Sequence, residues 1–172
     1  LMVDLRKADK TFTDVSASGL AVTTNGTIIF NEGRITSLDN ATIGATTAAA
    51  VTGTNVLATT TLGYKAGSGG TVTQGTDKGT AVTLNKISGE IVMNAAALAD
   101  DASVAFTLTN STIAATDVVI VNVASVGTAG AYQVTVGAVA AGSCSISVLN
   151  VSGGSLSQAI KLNFAVIKAV AS

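Results

Sequence analysis

The chain has 172 residues, of which 48% are hydrophobic, 3% aromatic and 11% charged, with no Pro, no His, no Trp and a single Cys. Without His, the Ser-His-Asp, Cys-His and His-Glu-x-x-His arrangements and mixed Cys/His zinc sites are all impossible within this chain. A net charge of −1 provides no basic stripe to neutralise phosphates or anionic lipid, so neither nucleic acid nor a membrane is expected as a partner.

The length suits one domain with an appendage, or two small domains. Charged residues make up about a quarter of an ordinary soluble chain, so a share below half of that leaves a surface of Thr, Ser, Gly, Ala and Asn. Such a surface suits contact with other protein. Every apolar run is broken by Thr, Ser, Gly or Asn well before the roughly 20 residues of a membrane-spanning helix, so no such span is read. The first residues, Leu1-Met2-Val3-Asp4-Leu5-Arg6-Lys7, turn charged at once and lack the pattern of a secretory signal. A lone Cys144 closes no disulfide within the chain, which leaves stability to packing and oligomerisation.

Charge is uneven along the chain: nearly half of the charged residues fall before residue 40. Residues 1–20 show no sustained period of 2 or 3.6 and read either as an arm that orders against a partner or as a plain tail. From Leu20, Asn25-Gly26 sits between two β-favouring runs and supplies the positive φ angles of a tight turn, which predicts a hairpin over 20–31. Residues 40–63 carry no charge and repeat small Thr-rich words. Thr disfavours a helix there, and side chains this small cannot form a core that offsets an ordering cost of about 1 to 2 kcal/mol per residue. The segment therefore reads as one that winds with copies of itself in a three-chain stalk, or as a linker.

Lys65-Ala66-Gly67-Ser68-Gly69-Gly70 punctuates the chain as a linker, after which the pattern becomes regular. Strands are predicted over 71–74, 80–84, 90–93, 103–109, 118–124, 132–138, 145–151 and 159–169. The turn residues between them are Asn85-Lys86, Ser88-Gly89, Gly127-Thr128-Ala129-Gly130 and Ser152-Gly153-Gly154-Ser155. This spacing signals an all-β sandwich or barrel. Alternation assigns Val104, Phe106 and Leu108 to one face, as it does Tyr132, Val134 and Val136, then Cys144, Ile146 and Val148, then Ile160, Leu162, Phe164 and Val166. The outward faces carry Ser, Thr, Ala and Asn in place of the charges that usually keep sheet edges apart, a liability for a free monomer. The alanines of residues 93–101 favour a short helical turn or a long loop crossing between sheets.

Few residues suggest chemistry, and no catalytic, cofactor-binding or metal-binding residue is assigned. Cys144 falls on the apolar face of a strand and reads as a small buried hydrophobe and not as a nucleophile. Asp100-Asp101 is the one acidic doublet; neighbours on an extended chain point apart, so a solvated turn is the reading preferred to calcium binding or hydrolysis. Gly67-Ser68-Gly69-Gly70 lacks the Gly-Lys-Ser/Thr ending and the following helix of a phosphate loop. Phe106, Tyr132 and Phe164 follow the core alternation, which leaves Phe12, Phe30 and Tyr64 as packing anchors outside the sandwich, not as a sugar platform. Asn25-Gly26-Thr27, Asn40-Ala41-Thr42, Asn110-Ser111-Thr112 and Asn150-Val151-Ser152 fit the glycosylation pattern, but chance matches are expected in so Asn- and Thr-rich a chain.

Longer words are more telling. Leu62-Gly63-Tyr64, Gly69-Gly70-Thr71-Val72-Thr73-Gln74, Val82-Thr83-Leu84-Asn85-Lys86, Gly89-Glu90-Ile91-Val92-Met93-Asn94 and Phe106-Thr107-Leu108-Thr109-Asn110-Ser111 open a series. It continues through Asp117-Val118-Val119-Ile120-Val121-Asn122, Thr128-Ala129-Gly130-Ala131-Tyr132, Ala140-Ala141-Gly142-Ser143-Cys144 and Leu162-Asn163-Phe164-Ala165-Val166-Ile167-Lys168. As a set these resemble a domain of tailed-bacteriophage and prophage structural proteins, with the N-terminal 60 or so residues outside the resemblance. It implies a non-enzymatic virion component: a head decoration or cement protein, a head fibre or a piece of tail fibre, commonly a homotrimer with a β-sandwich end domain.

The expected architecture is all-β. A C-terminal jelly-roll-like β-sandwich of about eight strands spans residues 65–172, and residues 1–64 form an extended arm, a hairpin and a β-rich oligomerisation segment that anchors to the capsid. The expected partners are the major capsid protein and further copies of the chain, on the exterior of a virion assembled in the host bacterial cytoplasm. Leu5, Arg6, Lys7, Lys10, Phe12, Phe30 and Arg34 are the expected capsid contacts. The alternative is a tail or head fibre module that binds a host surface receptor. A depolymerase, the most distant reading, would need a carboxylate pair assembled from separate loops or across a trimer interface.

Overall fold

The computed structural model of the chain describes residues 62–125 and 127–169. The hairpin expected over 20–31 lies outside the described residues, as does the arm over 1–20 and all but the end of the uncharged segment over 40–63. Eight strands are present: β1 (Thr71–Thr73), β2 (Val82–Thr83), β3 (Ser88–Val92), β4 (Ser103–Thr109), β5 (Val118–Ser125), β6 (Tyr132–Ala140), β7 (Ser143–Asn150) and β8 (Lys161–Ile167). Among the described residues there is no helix, hence none long and apolar enough to cross a membrane.

The strands form two sheets of four, ordered β1-β3-β8-β5 and β2-β4-β7-β6. The chain changes sheet at every connection except β6 to β7, which are joined by a tight hairpin through Ala141 and Gly142, the glycine supplying φ +83. The β1/β3 and β2/β4 pairs are parallel and the other four antiparallel. The edge strands on one side, β1 and β2, are only 3 and 2 residues long, which offers little edge for unwanted pairing. On the other side the longer edge strands β5 and β6 lie against one another.

Period-2 alternation explains the core. Phe106 and Leu108 of β4, Cys144, Ile146 and Val148 of β7, and Leu162, Phe164 and Val166 of β8 are buried, with Ile91, Met93 and Ile160 completing one cluster fed by both sheets. Tyr132 is buried too, while Val104, Val134 and Val136 pack at the edge of this cluster. Burying each such side chain contributes about 1.5 to 3 kcal/mol, enough to fold a domain with so few aromatics.

Two predicted details change and one open alternative is decided. Ser88-Gly89 is not a turn but the start of β3, where Gly89 faces Phe164 across the ladder. The strand expected over 80–84 shortens to two residues: the Leu84 amide still bonds the Thr109 carbonyl of β4, but the Leu84 carbonyl then accepts the Lys86 amide and the chain turns. Of the two alternatives for residues 93–101, the loop crossing between sheets is the one observed: Leu98 exchanges both backbone hydrogen bonds with Leu156, which holds this stretch extended. The Lys65–Gly70 stretch makes one turn, with the Ser68 amide donating to the Lys65 carbonyl, and runs straight into β1.

Candidate functional site

The chemistry-bearing side chains are dispersed. Among the described residues no three His, Cys, Asp or Glu side chains gather where they could hold a metal ion. Cys144 is buried opposite Leu108, and burial pushes its thiol pKa up, away from the reactive thiolate. Asp100 accepts a hydrogen bond from the Gly153 amide at 2.8 Å, while Asp101 turns the chain at φ 54 and donates its amide to the Asn150 carbonyl. The doublet thus ties two loops together.

The buried polar groups are tied to backbone. Asn110 follows β4 and Asn150 ends β7, and both are fully buried. Each side-chain oxygen accepts the amide two residues on, from Thr112 at 2.9 Å and from Ser152 at 3.0 Å, an Asx turn in each case. The amide nitrogen of Asn110 donates to the Lys86 carbonyl; that of Asn150 donates to the carbonyls of Leu98, Ala99 and Gly154. Two of the four glycosylation-like words are therefore turn motifs whose nitrogens are enclosed in the fold. Those at Asn25 and Asn40 lie outside the described residues.

Sequence reading passed over two cations. Lys78, between β1 and β2, is buried and its ammonium donates to the carbonyls of Asn94 and Gln158 at 2.6 and 2.5 Å, pinning three loops together. Desolvation lowers its pKa. Gln74 completes the knot: its side-chain nitrogen donates to the carbonyls of Lys78 and Thr80, and its oxygen accepts the Asn94 amide. The available signal was the Lys within a turn word, Thr76-Asp77-Lys78-Gly79, where a solvated charge is the ordinary reading.

The second cation is Lys168, paired with Asp117. The Asp117 carboxylate is enclosed and accepts from the Ala114 amide at 2.7 Å, from the Lys168 ammonium and from the Ala169 amide. The Ala114 hydrogen bond, then that of Lys168, holds its pKa below the usual carboxylate value against the opposing pull of desolvation. A carboxyl with a depressed folded pKa contributes stability above its unfolded value near 4, and that contribution is lost as pH falls through the folded value. The expected result is an acid limb in urea-unfolding midpoints that sets in below about pH 5 and is shallower in Asp117→Asn. Equal slopes in the two proteins would show that Asp117 does not carry it.

What remains accessible is sheet surface. The outward side of the second sheet presents Ser103, Ala105, Thr107 and Thr109 of β4, Ser145, Ser147 and the partly buried Leu149 of β7, and Gln133 and Thr135 of β6, with no charge. Neighbours across the ladders, such as Thr107 and Ser145 or Thr135 and Ser147, are equally small. The first sheet is mixed. Glu90 and Lys161 form an ion pair at 3.0 Å beside Asn163 and Asn122, whereas Val118, Ile120 and Ile167 expose apolar surface. The expected capsid contacts Leu5, Arg6, Lys7, Lys10, Phe12, Phe30 and Arg34 all lie outside the described residues.

These features define, among the described residues, an all-β domain of two four-stranded sheets. No protein-family model, curated protein or solved structure matches the chain.

Proposed function

We propose that the chain is a non-enzymatic component of a phage virion that decorates and stabilises the capsid surface, bridging major capsid subunits as a cement protein. In this reading the two sheets make an eight-stranded, jelly-roll-like sandwich whose chain passes back and forth between layers. The sandwich projects outward, residues 1–35 lie on the shell through Leu5, Arg6, Lys7, Lys10, Phe12, Phe30 and Arg34, and residues 40–63 gather three copies. The observation that carries it is the outward face of β4, β6 and β7, whose side chains are uncharged and, apart from Gln133 and Leu149, small, leaving no charge to oppose pairing with another protein surface. The family resemblance of residues 62–168 supplies the virion setting. Each bridging contact would stabilise the shell by mass action, as any ligand of the assembled state does.

The test is the copy number of this chain relative to the major capsid protein in purified particles, by quantitative mass spectrometry. A number comparable to the capsid protein is the expected result. A handful of copies per particle would overturn the cement role in favour of a tail or head fibre that engages a host receptor.

A further inference from the structure

Residues 70–84 run along one side of the domain and serve both sheets, β1 pairing with β3 and β2 with β4. Their fastening differs from that of the central strands. Of the three buried side chains in this stretch, Gln74, Lys78 and Val82, only Val82 is apolar, and Val72 and Leu84 pack part-buried against the core. By contrast β7 buries Cys144, Ile146 and Val148, and β8 buries Leu162, Phe164 and Val166. A segment with short ladders and few buried apolar side chains is one that opens at a lower free energy than the whole fold.

Both ends of the stretch are tied down. Upstream, the Tyr64 hydroxyl donates to the Val166 carbonyl, and residues 65–70, with Gly67 at φ +88, supply slack between that tie and β1. Downstream, the Asn85 side-chain oxygen accepts the Ser111 amide at 2.8 Å and the Lys86 carbonyl accepts the Asn110 side-chain nitrogen at 2.7 Å. Between the ties, Gln74 closes the loop on itself by donating to the carbonyls of Lys78 and Thr80. Lys78 then bonds this closed loop to two others at once, through Asn94 between β3 and β4 and Gln158 between β7 and β8.

We propose that residues 70–84 form a strap that lifts as one unit from a body, β3 to β8, that stays folded, and that Lys78 is its latch. The buried ammonium replaces the apolar contacts that hold the other strands, so the strap is secured by hydrogen bonds to loop carbonyls more than by burial. Bonds of that kind exchange for water with little net loss, whereas apolar burial does not. Lifting the strap unpairs the edges of β3 and β4 together, one in each sheet. The inference does not depend on the virion reading, since it concerns only how this domain opens.

Amide hydrogen exchange in the full-length chain, followed by NMR in increasing sub-denaturing urea, tests it. The strap reporters are the amides of Gln74, Leu84 and Glu90, bonded to the carbonyls of Val92, Thr109 and Gly70; the body reporters are those of Asn110 and Asn150, bonded to the carbonyls of Gly142 and Ala102. The strap amides are expected to exchange about tenfold or more faster than the body amides. They should share one urea dependence, weaker than that of the body because less surface is exposed. In Lys78→Met the strap amides should accelerate by about a further tenfold, with the body amides unchanged. Strap amides that exchange at the body rate overturn the proposal, and so do three unrelated rates without urea dependence, which mean that the edge merely frays. A Lys78→Met chain that keeps the parental strap rates, or speeds strap and body alike, overturns the latch. Lys78→Gln takes its place should Lys78→Met fail to fold.

Discussion

Replacing Asn150 by Ala is expected to lower the stability of the domain by about 3 kcal/mol, because a buried polar group stripped of its partner costs about 1 to 3 kcal/mol and this side chain serves several. Its amide nitrogen reaches the carbonyls of Leu98, Ala99 and Gly154 at 2.7 to 3.1 Å, and its oxygen holds the Ser152 amide. For a domain of this size the thermal midpoint would fall by about 15 °C, readable by circular dichroism. Asn150→Asp sharpens the test. It keeps the shape but aims a carboxylate at three carbonyls, so the aspartate is favoured in its protonated form and its folded pKa is raised. Stability in that variant is greatest below the unfolded value near 4 and falls as pH rises toward the folded one. This is the reverse of the trend expected from Asp117. An Asn150→Ala protein as stable as the parent would show that the loop carbonyls find water instead, and that the amide network is dispensable.

Asn150 also shows where sequence reading reached its limit. The words Asn110-Ser111-Thr112 and Asn150-Val151-Ser152 were visible, but a regular expression for glycosylation and an Asx turn closing a strand share the same letters. What separates them is burial, and burial of a polar side chain depends on which loops the fold brings over it. Residue 98 is far from residue 150 in sequence, and only the crossing loop between β3 and β4 sets their carbonyl and amide together.

Faces were legible for a related reason. In β4 one side is apolar and the other is not, and in β7 and β8 the same holds apart from Leu149, Ala165 and Ile167 on the outward side, so alternation separates most of the core from the surface. In β5 the run Val118-Val119-Ile120-Val121 is apolar on both sides, and no period could say that Val119 is buried while Val118 and Ile120 are half exposed. The parallel pairing of β1 with β3 and of β2 with β4 was equally hidden, because it joins strands that are not consecutive and leaves no mark on either one. As for the candidate contacts in the first 35 residues, they are read from basic, aromatic and aliphatic side chains alone and lie outside the described residues.

The second large effect is expected at Gly89. Adding a single methyl in Gly89→Ala places a carbon 2.6 Å from the Gly70 carbonyl oxygen, 2.7 Å from a Leu84 methyl and 3.0 Å from the Phe164 ring. The leucine can shift and the ring can tilt, but the Gly70 carbonyl is held by the Glu90 amide at 2.9 Å, the hydrogen bond that opens the β1/β3 ladder. Relief therefore means prising β1 away from β3 or pushing β8 outward, and overpacking of this kind costs about 1 to 3 kcal/mol, more with Val. Gly75→Ala is the matched control, since nothing lies within 4 Å of a methyl there, and it should stay within about 0.5 kcal/mol of the parent. Urea unfolding of the three proteins decides the matter. Equal midpoints for Gly89→Ala and Gly75→Ala would mean that β1 does not press on β3 as described. A selective loss at Gly89 identifies the glycine that looked like a turn as a residue chosen for the close approach of three strands.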